Sequence, residues 1–244
     1  MNNTLTLGTD RALYIGDLPA TDWHRHASPV LLIGLSGRFA VRLPGGHVES
    51  CHSALVAAGV EHVFDPCGER VALVYLEPDA VEARRLRHSF ALHGPVIFDP
   101  AMRPVSRHSY ERYLGAFDLR MLLGPSLDTP AAPLDARVAR VLQPLRTPRD
   151  TPWERNELAA AARLSASRFN HLFSAEMGVS FRDYRIWSQV RAAILGFRPD
   201  GSLTDASLNG AFADSAHFSR MFRQTFGMTP TTVLKPLKSV RVLR

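Results

Sequence analysis

The sequence has only two cysteines, Cys51 and Cys67, in 244 residues. Two thiols cannot make the disulfide framework that holds small secreted domains together. The sequence lacks any run of 18 apolar residues, so no helix is expected to cross a bilayer. A secretory signal pattern and a lipidation motif are missing as well. These absences give the expectation of a cytoplasmic protein with no membrane partner. Acidic residues are in deficit, 23 Asp+Glu against 29 Lys+Arg, for a net charge of +6. The deficit is local. Residues 135–244 hold 17 basic and 9 acidic side chains, and residues 1–134 hold 12 and 14. A C-terminal part at +8 beside an N-terminal part at −2 points to contact with a polyanion by one part only. What the chain does have is 45% hydrophobic residues and three tryptophans, enough for a real core in one large domain or two small ones.

The most informative stretch is Asp214 to Pro230, DSAHFSRMFRQTFGMTP. Phe218, Met221, Phe222 and Phe226 recur at i, i+3, i+4 and i+8, one face of an α-helix. Asp214 suits the N-cap, and Gly227 stands where the helix would stop. Ala216, Arg220 and Arg223 fall on the opposite face, flanked by Ser215, His217 and Ser219. The same pattern occurs 49 residues upstream, in SASRFNHLFSAEMGVSF from Ser165. Ser165 matches Asp214, Phe169 matches Phe218, Phe173 matches Phe222, and Gly178 matches Gly227. A shorter helical segment precedes each copy. The first is expected to open on a T-x-x-E capping box at Thr151 with Pro152 at N1, and the second covers Ser202 to Phe212. Two helices joined by a short turn make a helix-turn-helix, and two such units follow one another here. Between them, Ser180 to Phe197 keeps helical spacing through Tyr184, Trp187, Val190, Arg191 and Ile194. At 1.5 Å per residue such a helix spans about 25 Å. Successive major-groove faces lie about 34 Å apart, so one chain can offer both outer faces to one side of a bent or tilted duplex.

Residues 134–244 resemble the DNA-binding domain of the AraC/XylS family of transcription regulators. The resemblance is carried by Leu158-Ala159, Ser165, Phe173, Gly178, Phe181, Tyr184, Arg191 and Ala192 in the first half. In the second half it is carried by Phe212, Phe218, Ser219-Arg220, Phe222, Phe226-Gly227 and Thr229-Pro230. Two departures stand out. Ala206-Ser207 replaces the usual Ile-Ala, which predicts a thinner core, and Ala211 replaces the usual glycine before Phe212. The resemblance implies double-stranded DNA as a partner, with Ser167, Asn170, His171, Ser215, Ala216 and Arg220 at the base-reading positions. Arg168, His217, Ser219 and Arg223 flank them, with Ser174 on the same outer row. Arginine can fork onto guanine and asparagine onto adenine, while serine and histidine make single bonds or phosphate contacts.

The N-terminal part predicts short strands at Arg11–Ile15, Val30–Leu35, Arg38–Leu43, His47–Cys51, Ala54–Ala57 and Val71–Leu76, with a hairpin turn at Pro44-Gly45-Gly46. Evenly spaced short strands suggest a barrel or jelly roll. Trp23-His24-Arg25-His26 and Ala57-Ala58-Gly59-Val60-Glu61-His62 resemble the two motifs of a cupin barrel, a resemblance that places His24, His26 and His62 at a ligand or metal site. Three neutral imidazoles suit Zn, Ni, Co, Cu or Fe. The carboxylate expected shortly after His26 is missing, since Ala27, Ser28, Pro29 and Val30 follow. Two helical stretches come next. One runs from Asp79 to His93, and the other places Tyr110, Tyr113, Leu114, Phe117 and Met121 on one stripe. The resemblance makes that stripe a candidate homodimer face.

The resulting expectation is an α+β protein of three parts. A cupin-like sensing and dimerisation domain covers 1–123, with its barrel over about 1–78. A linker covers 124–133, and an all-α domain of two helix-turn-helix units joined by a long helix covers 134–244. Its function would be transcription regulation, with DNA affinity modulated by a small organic or metal effector. RNA polymerase would be a further partner of an activator. Two rival readings remain open at this point. One is a cupin metalloenzyme with an accessory basic domain, against which the missing carboxylate argues. The other is a constitutive DNA-binding protein whose barrel only dimerises.

Overall fold

The computed structural model describes residues 3–100, 119, 123–128, 130–146, 151–197 and 201–243. They form two compact units. One holds residues 1–23, 28–132 and 238–244, the other residues 24–27 and 133–237. No described helix is long and apolar enough to cross a membrane.

The first unit is built from two antiparallel sheets. The strands are β1 (Asn3–Leu7), β2 (Arg11–Gly16), β3 (Val30–Gly34), β4 (Phe39–Arg42) and β5 (Val48–Cys51). They continue with β6 (Ser53–Val56), β7 (Val63–Asp65), β8 (Val71–Leu76), β9 (Val96–Phe98) and β10 (Leu237–Val242). The larger sheet has the order β10-β1-β2-β8-β3-β6-β9, the smaller β5-β4-β7. The barrel expectation is thus met by two sheets, not by one closed ring. β8 is central because VALVYL is apolar without a break, as a strand buried on both faces must be. It pairs with β2 (Leu13↔Val74) and with β3 (Leu31↔Val74). One face of the large sheet presents Leu13, Leu31, Ile33, Leu55, Val74 and Leu76 to a shared core. Ala83 and Leu86 of α1 (Val81–His93) close that core, together with Leu119, Leu123 and Leu127. Arg11 ties the sheet to this helix. Its guanidinium is 8% exposed and meets Asp10 at 2.7 Å and Glu82 at 3.2 Å.

Each strand expected from the sequence is present to within a residue or two. The expected turn closes the β4–β5 hairpin, where Arg42 pairs with Val48 and both Gly45 and Gly46 adopt φ of +86°. Only glycine holds two such angles in succession without strain. β1, β7 and β9 are too short or too polar to stand out in the sequence. β10 adds a strand to the C-terminal stretch expected as all helical, and Leu243 N–H donates to Leu7 O at 2.8 Å. Within the stretch expected as a linker, Gly124–Leu127 forms a 3-10 turn and Leu127 is buried. The stripe of Tyr110, Tyr113, Leu114, Phe117 and Met121 lies outside the described residues.

The second unit is helical. Its elements are α2 (Ala136–Arg146), α3 (Arg155–Ala161), α4 (Ala166–Met177), α5 (Phe181–Gly196), α6 (Leu203–Asn209), α7 (Ser215–Phe226) and α8 (Pro230–Leu234). Val138, Val141, Leu142 and Leu145 of α2 are buried as one face. α3 starts later than its sequence suggests. Glu154, not Thr151, is the N-cap, and Glu157 accepts from the Glu154 N–H at 2.8 Å. An acid three residues on from the cap does what Thr151-x-x-Glu154 was expected to do, one turn downstream.

Candidate nucleic-acid interface and histidine cluster

The two helix pairs, α3–α4 and α6–α7, have the same local construction. α3 ends at Ala162, and Arg163 turns the chain with φ +57°. α6 ends at Gly210, and Ala211 turns it with φ +52°. In the first turn Arg163 N–H donates to Ala160 O and Leu164 N–H to Ala159 O. In the second, Ala211 N–H donates to Leu208 O and Phe212 N–H to Ser207 O. The second turn is one residue longer. Ser165 accepts from the Arg168 N–H at 3.3 Å to cap α4, and Asp214 accepts from the His217 N–H at 2.6 Å to cap α7. Gly178 and Gly227 end those helices in the left-handed conformation, at +74° and +68°.

The inner faces explain why both outer faces are fixed in direction. Phe169 and Phe173 of α4 meet Phe181 and Tyr184 at the start of α5, with ring centroids 5.4–5.6 Å apart. Phe218 and Phe222 of α7 pack in series with Phe212 and Phe226, and Trp187 of α5 reaches Phe226 at 6.0 Å. α5 therefore serves both units, its first turn packing on one and its middle on the other. Ala206 and Ser207, the small residues expected to thin the second core, are both fully buried. The Ser207 hydroxyl is satisfied by donation to Thr204 O at 2.7 Å. α5 and α6 approach closely enough that a Cβ on Gly196 would sit 2.2 Å from the Asn209 side-chain nitrogen.

On the outer face of α4, Ser167, Arg168 and His171 are exposed, and Asn170 and Ser174 are half-buried. On α7, Ala216, Arg220 and Arg223 are exposed, while Ser215, His217 and Ser219 are half-buried. The His217 ring packs edge-on against Phe212 at 5.3 Å, and the Ser219 hydroxyl donates to Ser215 O at 2.8 Å. Arg220 takes part in no ion pair among the described residues. Arg220 and Arg223 are thus exposed one turn apart on a capped helix whose opposite face is buried.

A feature absent from the sequence expectations adjoins α4. A cleft of about 380 Å³ is lined by Arg155, Asn156, Asn170, Ser174, Ser180, Arg182 and Arg185, with Glu154 at its side. Arg185 leans on Glu154 at 3.4 Å, whereas Arg155 and Arg182 are exposed. The signal was present as arginines directly after two helix starts, but only the fold brings the starts of α3 and α5 together.

The histidines do converge. His24, His26 and His62 are 6%, 3% and 0% exposed, and each offers a ring nitrogen within 4.8 Å of the others. His24 and His26 alternate with exposed Trp23 and Arg25, so an extended backbone turns both imidazoles to the same side. Both ends of their segment are anchored in the sheets. Thr21 N–H donates to Phe64 O at 2.9 Å, and the Thr21 hydroxyl accepts from the Phe64 N–H at 2.8 Å. Further on, the Ser28 hydroxyl donates to Leu76 O. His62 Nδ1 lies 2.9 Å from Val60 O. Burial pushes the His62 pKa down, toward a neutral ring.

Comparison with known proteins bears on both parts. A family model described as "Helix-turn-helix domain" matches residues 158–236. The transcriptional activator NphR of Rhodococcus sp is 36% identical over 95 residues, which is 38% of this chain and 28% of that relative. Less than a third of that relative's length is therefore aligned. Solved structures of ToxT from Vibrio cholerae are similar over nearly the whole chain. With bound (E)-4-(8-methylnaphthalen-1-yl)but-3-enoic acid, the TM-score is 0.61 at 10% identity, covering 94% of this chain and 100% of that one. With bound unsaturated fatty acid, it is 0.57 at 13% identity, covering 96% and 98%. At such identities the likeness speaks for the fold alone.

Proposed function

We propose, starting from a C-terminal half that carries an AraC-type helix-turn-helix domain, that this protein is a sequence-specific regulator of transcription whose N-terminal unit binds a small ligand. One observation carries the reading. Two helices, α4 and α7, have fully buried aromatic inner faces and outer rows of Ser, Asn, His and Arg, and one helix, α5, holds both. A duplicated, rigid, basic outer row suits successive major-groove faces of one duplex. Arg220 is the principal base reader in this account, and Arg223 a phosphate contact. Arg155, Arg182 and Arg185 in the cleft beside α4 give a backbone phosphate a charged seat.

The sensing half of the proposal has a different support. ToxT, which shares the two-part fold, is found with carboxylic acids of apolar body. In the present chain the buried histidines His24, His26 and His62 supply the polar anchors for such a ligand. An effector bound more tightly in one state of the protein shifts its DNA affinity by the ratio of the two affinities. A homodimer is the expected assembly, and RNA polymerase is a partner if the protein activates. No catalysis is assigned. The test is a mobility-shift titration of the full chain on promoter fragments from the source genome. Retardation of a subset of fragments at moderate salt supports the reading. Equal retardation of all fragments, or none at low salt, refutes it.

A further inference from the structure

We infer that β10 is a releasable strap, a last strand whose pairing with β1 restrains the second helix pair and whose opening sets that pair free to tilt. The effect on DNA rests on the DNA-binding reading. The strap itself does not.

The chain path comes first. Residues 133–237 belong to the helical unit, and the chain re-enters the N-terminal unit at Lys238. The helical stretch is therefore a loop with both ends in the N-terminal unit. The two ends are held differently. Before the first, Leu127 is buried in the N-terminal core, and Arg85 of α1 donates to its carbonyl at 3.0 Å. Arg84 of the same helix donates to Ala132 O. α1 is in turn tied to β2 by the pair of Glu82 and Arg11, 3.2 Å apart. The stretch expected as a linker is thus fastened at two points.

The other end is held by one edge strand. β10 is the outermost strand of its seven-stranded sheet, with β1 as its neighbour. Of its six residues only Leu237 is buried, while Lys238, Arg241 and Val242 are exposed. Backbone hydrogen bonds such as Leu243 N–H to Leu7 O, at 2.8 Å, therefore carry most of the hold. Exposed backbone bonds with little apolar burial open locally, at a free energy far below that of global unfolding. The exposed cations also keep this edge from pairing with another chain, so its open form stays unaggregated.

The slack is small. α8 ends at Leu234 and β10 begins at Leu237, leaving Lys235 and Pro236 between them, at most about 7 Å of chain. Leu234 is buried, so α8 cannot lengthen the tether without leaving its core. α5, which joins the two helix pairs, is about 24 Å long, whereas major-groove faces recur about every 34 Å. Engaging both faces therefore asks for a tilt of one pair or a bend of the duplex. A strap two residues beyond α8 opposes that tilt, and an open strap does not.

Two charge-neutral variants of the full chain test this. Successive N–H groups of a strand point to opposite edges, so Ser239 N–H points to β1 as Leu243 N–H does, and Val240 N–H points away. Ser239→Pro removes a pairing donor and should open the strap, whereas Val240→Pro should leave it paired. Trypsin cleavage at Arg241–Val242, followed by mass spectrometry, reads the opening. It should be about tenfold faster or more in Ser239→Pro and unchanged in Val240→Pro, with the parent's circular dichroism in both. Hydrogen exchange in residues 3–7 should rise in step. On the promoter fragments that the parent retards, Ser239→Pro should bind about threefold tighter or more, and Val240→Pro like the parent. If Ser239→Pro misfolds, deletion of residues 238–244 replaces it, read by exchange in residues 3–7 and by DNA affinity. That deletion removes basic residues, so tighter binding cannot be a charge effect. Equal cleavage and exchange in parent and Ser239→Pro overturn the inference, as does an opened strap with unchanged or weaker DNA binding. A parent that binds no DNA refutes the DNA reading instead, and cleavage and exchange then decide the strap.

Discussion

Replacement of Arg220 by alanine separates reading a base from holding the helix in place. Arg220 is exposed on α7, opposite the buried Phe218 and Phe222, and has no ion-pair partner among the described residues. Removing it opens no cavity, and alanine and arginine differ little in helix propensity. Thermal stability should therefore stay within about 0.5 kcal/mol of the parent. On DNA the arithmetic differs. A guanidinium forked onto guanine gives about 1–3 kcal/mol of discrimination. At 1.4 kcal/mol per factor of ten, the dissociation constant on the specific site should rise between roughly five- and 150-fold. On scrambled DNA, which has only phosphates to offer that side chain, the loss should be much smaller. Sequence preference should relax at one or two base pairs and nowhere else. The assay is a parallel fluorescence-anisotropy titration of parent, Arg220→Ala and Arg223→Ala on both DNAs over a range of salt. Arg223→Ala should weaken both DNAs alike and flatten the salt slope by about one charge. Equal losses for Arg220→Ala on both DNAs would make it a positioning residue. Lost stability would mean that its side chain is part of the domain's own packing.

Other expectations follow from the same geometry. Ala211 holds φ +52°, a conformation that costs a residue with a Cβ about 1 kcal/mol, so Ala211→Gly should raise the thermal midpoint of the helical unit by a few degrees; an unchanged or lowered midpoint contradicts it. Gly196→Ala should destabilise by about 1–3 kcal/mol in urea unfolding, because its Cβ would press on Asn209, and a neutral result would show that α6 can shift away. The Cys51 thiol is fully buried and its pKa is pushed up to about 12 by desolvation, so it stays a thiol at neutral pH. A maleimide or Ellman assay should count one reactive thiol in the native protein, the exposed Cys67, and two after unfolding.

The helical half could be read from the sequence because its signals are local. Caps at Ser165 and Asp214, stops at Gly178 and Gly227, and phenylalanines spaced for one face all lie within single helices, and two copies reinforce each other. The start of α3 was missed because Thr151 and Glu154 both suit a cap, and the choice is made by Glu157 reaching back to the Glu154 N–H. The arginine cleft was invisible because it joins the beginnings of α3 and α5. In the N-terminal half, apolar runs such as Val71–Leu76 mark buried strands, but nothing local in Asn3–Leu7 or Leu237–Val242 announces their pairing. Register between strands distant in sequence is a tertiary property. His24, His26 and His62 lie close together, and nothing local in the sequence announces the Val60 carbonyl beside His62 Nδ1.

The central claim is that one chain places two recognition helices on one DNA duplex. It is tested most directly by selecting fragments of the source genome on the full-length protein and footprinting those retained. The account predicts a common sequence with two protected major-groove patches about 10 base pairs apart on one side of the helix. It also predicts an affinity that falls steeply with salt, as several phosphates lose their condensed counterions. Removing the outer row of α4 by Asn170→Ala and His171→Ala should abolish protection of one patch and leave the other. Recovery of fragments with no shared sequence, or one patch that is lost with either helix, would contradict the account.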